Sequence, residues 1–457
     1  MSNEHQHIAG ANALEDVPTT LDLATAHARL LAAPWRALPS VQETFELFSS
    51  AGVEVRAVGG CVRDALLGLA CADVDFCTPA HPEEVIALAR AARIKCVPTG
   101  LDHGTVTLVF DAGAHEVTTL RRDVDTDGRH ARVVFTDDWR ADARRRDFTI
   151  NAFYADGHGN LLDPLDGIGD LRAGKVRFIG SARERIREDY LRVLRYYRFF
   201  ARFERGGIDA EAGAAIDAER DALAGLSGER VWAELRRLLS APRVLDAVED
   251  MAARGVLGAT LGLTPAISYL REVLDLEATM TEEKDAPTAP IRRLAALFDL
   301  GSKPQATLDA LAERLRLSKT EHRHLAACRR GASRAVSTPQ LDGAVQTGGD
   351  PKQSVSEQVQ RVAFARVHDL GPVAAADAAV LLAARSNDPA IILATEAARA
   401  ALDGKSFPVT GDDLQDRGWS AGPALGDEIR RLTRLWVESG FQLDREQLLA
   451  RVGDPKP

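Results

Sequence analysis

Gly59-Gly60-Cys61-Val62-Arg63-Asp64, with Asp73-Val74-Asp75 after it, is the stretch on which the fold turns. Before it, Val53-Glu54-Val55-Arg56-Ala57-Val58 alternates like a half-buried strand. Two glycines end that strand, and Val62 to Leu69 has the composition of a short helix. Glycines at a strand-to-helix turn let the backbone approach a phosphate, and the helix start presents free N–H groups to an anion. Arg63, in the first helical turn, can fork onto phosphate oxygens. Asp73 and Asp75 are two apart on an expected strand, so both carboxylates project from one face. Paired hard oxygen donors suit Mg²⁺, which keeps waters and substrate phosphates as its other ligands. Glu116 is a candidate third carboxylate on the expected strand His115 to Leu120, and an ordinary solvated strand residue is an equal reading of it. A Gly-Gly or an Asp-x-Asp alone carries little weight; their order and spacing together carry much more.

Outward from this stretch, Pro82 to Ala92 reads as a helix with Pro in its first turn. Thr105 to Phe110 and His115 to Leu120 read as strands joined by an Asp111-Ala112-Gly113 turn. Beyond about 181 the β signal stops, and 181–205, 209–225, 228–240, 243–255 and 288–300 have helical spacing. The expected class is α+β, a head with a mixed sheet followed by an all-helical neck, body and tail. The expected boundaries are 1–50 for an N-terminal tail and helix, 51–180 for the head, 181–240 for the neck, 241–336 for the body and 359–457 for the tail, with 337–358 a linker.

The chain has 457 residues, a formal net charge of −10 and 45% hydrophobic residues. Such a chain buries a sizeable core, which excludes global disorder, and its length suggests about three domains. The acidic balance excludes a uniformly basic binder but not a local basic groove. An aromatic share of 5% argues against an RNA platform built mainly of stacked rings. Five cysteines without a C-x-x-C pair fit a reducing compartment. The apolar run nearest to a membrane span, Val373 to Ala384, is interrupted by Asp377 and short of the ~18–20 residues required. No Lys or Arg precedes Arg29, so neither a signal peptide nor an Arg-rich transit peptide is expected. A cytoplasmic protein is the expectation, with no membrane partner and no indication of oligomeric state.

Two further stretches complete the picture: Arg145-Arg146-Asp147-Phe148-Thr149-Ile150-Asn151, and Glu188-Asp189-Tyr190-Leu191-Arg192-Val193-Leu194-Arg195-Tyr196-Tyr197-Arg198-Phe199. On a continuous helix Asp189, Arg192, Arg195 and Arg198 form one stripe, with few acids apparent opposite. Together with the glycine and Asp-x-Asp motifs, this series resembles class II (bacterial-type) tRNA nucleotidyltransferases and their poly(A) polymerase relatives, whose head is polymerase β-like. The resemblance extends through Asp163-Pro164-Leu165-Asp166-Gly167 and Leu226-Ser227-Gly228-Glu229-Arg230-Val231-Trp232, and more loosely to Gly411-Asp412-Asp413-Leu414 and Gly422-Pro423-Ala424-Leu425-Gly426. Thr99-Gly100-Leu101-Asp102-His103-Gly104-Thr105 is similar to the CCA-adding pattern. Asp125-Thr126-Asp127-Gly128-Arg129-His130-Ala131 resembles the flexible loop of eukaryotic mitochondrial CCA-adding enzymes.

The resemblance implies that Asp73 and Asp75 bind metal. It implies that Gly59, Gly60 and Arg63 hold the triphosphate, and that Arg146 and Asn151 contact the nucleotide. Asp189, Arg192, Arg195 and Arg198 line the base and phosphate pocket. Asp73, Asp75 and Arg146 are the implied catalytic set, tRNA, CTP and ATP the implied partners, and Mg²⁺ the cofactor.

A carboxylate accepts hydrogen bonds and a guanidinium donates them. Asp189 beside Arg192 therefore complements an amine next to a ring-nitrogen acceptor, the edge of cytosine and adenine. Uracil and guanine present the reverse order and leave polar groups mispaired. The expected activity is template-independent CCA addition. The same-fold alternative is a poly(A) polymerase or A-adding enzyme, and an inert tRNA-binding protein is a third reading. Arginines across 121–146 suggest a mobile charged loop, and Arg314, Arg316, Lys319, Arg323, Arg329, Arg330 and Arg334 suggest a phosphate-binding tail surface.

Overall fold

The computed structural model describes residues 21–71, 73–127, 130–280, 287–298, 304–333 and 351–454, with the side chains of these except 123–132, 304, 333 and 351–358. They fall into two compact units, Met1–Leu263 and Thr264–Pro457.

The first unit opens with α1 (Leu23–Leu31) and α2 (Pro39–Ser50). Asp22 caps α1, its carboxylate accepting from the Thr25 N–H at 2.8 Å. There follow β1 (Arg56–Val58), α3 (Gly60–Leu66), β2 (Asp75–Thr78), α4 (Pro82–Ala91), β3 (Lys95–Gly100), β4 (Thr105–Phe110) and β5 (Gly113–Thr119). A second hairpin, β6 (Arg121–Asp127) and β7 (His130–Phe135), leads to α5 (Trp139–Arg144), then β8 (Tyr154–Ala155), β9 (Leu161–Leu162) and α6 (Gly167–Ala173). The main sheet has the order β3-β4-β5-β2-β1-β8-β9, with β2 and β5 parallel and the other pairs antiparallel. Phe76, Cys77 and Thr78 of β2 are all buried, as the centre of a sheet covered on both faces requires.

The neck begins with α7 (Ala182–Glu188), α8 (Leu191–Phe203), α9 (Ala210–Glu219) and α10 (Gly228–Leu239), followed by α11 (Val244–Ala253) and α12 (Val256–Leu261). Aromatic residues are few in this chain, yet they concentrate where α8 meets the head. The Phe148 ring lies 4.9 Å from Phe178, 5.1 Å from Phe199 and 6.0 Å from Tyr196 between centroids, and Phe178 stacks on Tyr196 at 5.4 Å.

The second unit is helical among the described residues: α13 (Ile267–Ala278), α14 (Ala289–Leu297), α15 (Pro304–Leu315), α16 (Lys319–Ser333), α17 (Pro351–Leu370), α18 (Pro372–Ser386), α19 (Ala390–Leu402), α20 (Gly411–Gln415), α21 (Pro423–Glu438) and α22 (Arg445–Leu449). The apolar run Val373 to Ala384 is α18, buried through Ala374–Ala383, and its Asp377 bonds Arg292. No described helix is long and apolar enough to cross a membrane.

Three expectations about elements are corrected. The 121–146 segment is a β-hairpin and a helix rather than a loop, because Val133, Val134 and Phe135 pair with Asp123, Arg122 and Arg121. Residues Gly128 and Arg129 at its tip lie outside the described residues. The expected 181–205 helix breaks at Asp189, which adopts φ −156°, ψ 105° between α7 and α8. The linker expected through 358 already belongs to α17 from Pro351 onward.

Candidate active site

Asp75 opens β2 opposite Val58 of β1, and Asp73 precedes it. Both are exposed while Val74 between them is buried, so the alternation expected of a strand places the two carboxylates on one face. On β5 the register Phe76↔Val117 sets Glu116 beside Asp75, and Glu116 is exposed as well. Surrounding protein, then the charges of Glu116 and Asp73, push the Asp75 carboxyl above its ordinary range, against the pull of Arg146. Three crowded carboxylates on adjoining chain segments are a donor set that a hard divalent cation fits. They do not draw together as tightly as His324, Cys328 and Asp377, the group among the described residues whose ligand atoms lie within 4.8 Å. That buried group is charge-balanced without a metal: Arg292 bonds both Glu277 and Asp377, and Arg293 bonds Glu277. His115, which no sequence pattern marks, braces the segment before β2. Its Nδ1 lies 3.1 Å from the Val74 carbonyl and its Nε2 2.9 Å from Ser40 Oγ.

Gly59 sits at φ +76°, ψ −121°, a conformation essentially reserved for glycine, and donates to the Phe153 carbonyl at 2.9 Å. A Cβ there would meet Arg146 Nη1 at 3.6 Å, so this guanidinium faces the glycine turn. Arg146 is held from behind: Nη2 donates to Asp142 Oδ2 at 3.0 Å and Nε to the Tyr154 hydroxyl at 3.2 Å. Burial opposes the charge of Asp142, but Arg146, Arg145 and the Tyr154 O–H hold its carboxyl down to about 2. Neither Asp142 nor Tyr154 was singled out in the sequence; an acid four residues before the arginine on a helix was the available signal.

Arg63 lies in a network of its own. It is 6% exposed, and its Nε and Nη2 donate to Asp64 Oδ1 at 2.9 and 2.7 Å while Nη1 donates to Asn151 Oδ1 at 2.5 Å. Its face lies over Phe203 at 4.4 Å and Phe199 at 5.3 Å. Asn151 Nδ2 in turn donates to Asp147 Oδ1 at 3.0 Å.

The arginines of α8 are paired, contrary to the expectation of few opposing acids. Arg195 donates to Asp147 Oδ2 from Nε at 2.8 Å and from Nη2 at 2.5 Å, with Glu234 at 3.6 Å. Arg198 Nε donates to Glu234 Oε2 at 2.5 Å, and Arg192 bonds Glu188 and the Arg185 carbonyl. The acids come from three other places, the turn after α5, the end of α7 and the middle of α10, which spacing along one helix does not reveal. Asp189 is off the helix, at its start, where Oδ2 accepts from Arg230 at 2.6 Å and Oδ1 from the Leu191 N–H at 3.2 Å. Arg185 ties α7 to the head by donating to the carbonyls of Arg145 and Arg146.

In the second unit His322 meets Asp309 and His324 meets Asp377, on different faces. Arg329 donates to the Ala295 carbonyl at 3.0 Å, and Arg334 lies outside the described residues. Gly411 to Leu414 begins α20 under a Thr410–Asp413 capping box, and Gly422 immediately precedes α21.

A mixed sheet with exposed carboxylates beside a glycine turn, joined to an arginine-lined helical neck, defines a nucleotidyltransferase. The model of the Poly A polymerase head domain matches residues 55–177. The mouse protein "CCA tRNA nucleotidyltransferase 1, mitochondrial" is 36% identical over 410 residues, 89% of this chain and 88% of its own length. The human protein of the same name is 34% identical over 413 residues, 89% of this chain and 88% of its own. A crystal structure of the Bacillus stearothermophilus CCA-adding enzyme in complex with CTP superposes with a TM-score of 0.66 at 25% identity, covering 91% of this chain and 97% of that one. The chain belongs to the CCA tRNA nucleotidyltransferase family. Relatives matching nearly end to end decide for CCA addition over poly(A) synthesis.

Proposed function

We propose that this enzyme adds CCA to the 3′ ends of tRNA from CTP and ATP, and that the residues above divide the work as follows. The Gly59–Gly60 turn and the start of α3 receive the triphosphate, with Arg146 Nη1 pointed at the same turn. Asp73 and Asp75, with Glu116 beside them, hold Mg²⁺. Bound there, the ion supplies charge neutralisation at the α-phosphate and activation of the primer's 3′-hydroxyl. Arg146 offsets charge that builds on the phosphates as the 3′-hydroxyl oxygen bonds to the α-phosphorus and pyrophosphate leaves. Asp189 and Arg192 read the amine and ring nitrogen of C or A, and no nucleic-acid template is needed.

What carries this reading is the position of Arg146. Its charge reaches Asp75, its Nη1 faces Gly59, and its backbone carbonyl receives Arg185 of the neck, which supports phosphate, metal and base functions meeting at this one residue. The compartment we propose is the cytoplasm, supported by five cysteines that are all unpaired.

The test is incubation of tRNA lacking its 3′ end with CTP, ATP or both. Growth that stops after CCA supports the proposal; long A tails, or tRNA binding without incorporation, refute it. Asp189→Ala is expected to admit UTP and GTP, and their continued exclusion would refute the base-reading assignment.

A further inference from the structure

We propose that His115, backed by Ser40, is a positioning residue for the metal site. Its imidazole fixes the separation between the segment that carries Asp73 and Asp75 and the strand that carries Glu116, and so sets the affinity for the divalent cation. This rests on the assignment of those carboxylates to Mg²⁺.

The geometry follows from the pairing of β2 with β5, which run parallel from Phe76↔Val117 onward. One residue back, the same register sets Asp75 beside Glu116; two back, it sets Val74 beside His115. Asp75 and Glu116 are exposed, whereas Val74 and His115 are buried. The imidazole therefore lies on the face of the sheet opposite the carboxylates. Its Nδ1 lies 3.1 Å from the carbonyl of Val74, the residue between the two aspartates, and its Nε2 2.9 Å from Ser40 Oγ on α2. A carbonyl only accepts, so Nδ1 carries the proton, and Nε2 of the neutral ring accepts from the Ser40 hydroxyl. Phe76 and Phe110 wall the ring, with centroids 5.5 and 6.1 Å away.

Two physical features make this more than packing. Carboxylates on adjoining segments repel one another until a cation joins them, and the repulsion drives Asp73 and Asp75 away from Glu116. Asp75 is held opposite Val58 of β1, but Asp73 and Val74 precede β2. There the Asp73 carbonyl accepts from the Cys71 thiol, a weak donor, at 3.1 Å, so the imidazole is the stronger of these two holds. The second feature is that the imidazole belongs to the residue next to Glu116. One ring thus ties the peptide between two ligands to the peptide beside the third, as a group behind a metal's own ligands does. Ser40, 1% exposed, fixes the orientation and tautomer of that ring from α2, where its own carbonyl accepts from Thr44 Oγ1 at 2.8 Å.

The test measures two quantities on the full chain. One is Mn²⁺ affinity without nucleotide or tRNA, read from the electron paramagnetic resonance of the free ion. The other is the Mg²⁺ concentration that gives half-maximal CCA addition. His115→Phe keeps a ring in the slot and removes both nitrogens. It is expected to weaken Mn²⁺ binding and raise the Mg²⁺ requirement about tenfold each, with a smaller fall in kcat at saturating Mg²⁺. His115→Asn puts an amide N–H where Nδ1–H stood and is expected to recover most of the loss. His115→Gln, whose amide nitrogen falls at the Nε2 position, is not. Unchanged Mn²⁺ affinity in His115→Phe, or an equal loss in the Asn and Phe variants, would overturn the inference, the second by reducing the ring to packing. If His115→Phe does not fold, Ser40→Ala decides: weaker Mn²⁺ binding supports the brace, and unchanged binding overturns it. Asp75→Asn separates the two levels of the argument. Weaker Mn²⁺ binding in Asp75→Asn but not in His115→Phe defeats this inference alone; no weakening in either defeats the metal assignment with it.

Discussion

Replacing Asp147 by Asn tests the electrostatic core of the neck–head junction. Asp147 is 8% exposed, and burial alone would favour its neutral form. The Arg195 guanidinium and the Asn151 amide overcome this and hold the carboxyl down to about 2, from an ordinary 3.8. At 1.36 kcal/mol per unit, the ionised carboxylate contributes on the order of 2 kcal/mol to folding at neutral pH. The sign follows from the depressed value. The contribution is present above the unfolded-state value near 4 and is lost as pH falls through the folded value near 2, with about half remaining at pH 3. The amide of the Asp147→Asn variant would keep an oxygen for the Phe148 N–H but leave Arg195 with Glu234 as its remaining acid.

The assay is urea unfolding of the full chain at pH 7 and pH 3. Two compact units allow two transitions; the relevant one belongs to the unit carrying Trp35, Trp139 and Trp232. Asp147→Asn is expected to lower its stability by about 2 kcal/mol at pH 7 and by about half as much at pH 3. A loss equal at both pH values would refute the ionic account and leave only lost packing. A shift confined to the transition of the unit with Trp419 and Trp436 would refute the placement of Asp147 in this junction.

Further outcomes follow from the site. Gly59→Ala gives a Cβ only ordinary van der Waals contacts but a φ that L-residues avoid, at a cost of about 1–3 kcal/mol; nucleotide affinity is expected to fall about tenfold or more, read by calorimetric titration of CTP. Asp75→Asn is expected to cut incorporation at least about a hundredfold, and chelation followed by added Mg²⁺ to abolish and restore activity in the wild type. Shortening the β6–β7 hairpin at its tip is expected to impair A addition more than C addition, measured by the length of the product; equal loss of both would make the hairpin a support and nothing more.

The head was legible in sequence because its strands obey local rules. Thr105 to Phe110 was placed to the residue, and the Asp111–Gly113 turn fell where β4 meets β5, since alternation and turn chemistry are short-range. The hairpin at 121–135 was not legible: its arginines and aspartates outweighed Val133, Val134 and Phe135, and strands rich in charge lose the apolar alternation that marks them. The break at Asp189 was missed because nothing in Arg187 to Arg192 opposes a helix; what ends α7 there is tertiary, Asp189 accepting from Arg230 of α10. The metal-site candidates were legible as spacing. Two long-range supports were not: His115 braces Val74 from 41 residues away, and Glu234 pairs with Arg198 36 residues away, so no local spacing marks either.

The pairing of the α8 arginines bears on how a protein can stand in for a template. A side chain free to swing would follow U or G as readily as C or A, and would reject neither. Discrimination by mispairing requires donors and acceptors that stay where they are when the wrong base arrives. Arg195 and Arg198 are fixed between Asp147 and Glu234, which stiffens α8 behind the pocket. Arg192 is held by Glu188 and the Arg185 carbonyl, and Asp189 by Arg230 and the Leu191 N–H. Glu188 is carried on α7 and Arg230 on α10, and the side chains of Asp189 and Arg230 are both about one-third exposed. On the proposed assignment, an incoming base edge takes the place of those two ionic partners while the pairs of Arg195 and Arg198 persist. If Asp189 and Arg192 read the base as proposed, the same pair serves two different bases in succession, because C and A present the same donor–acceptor order.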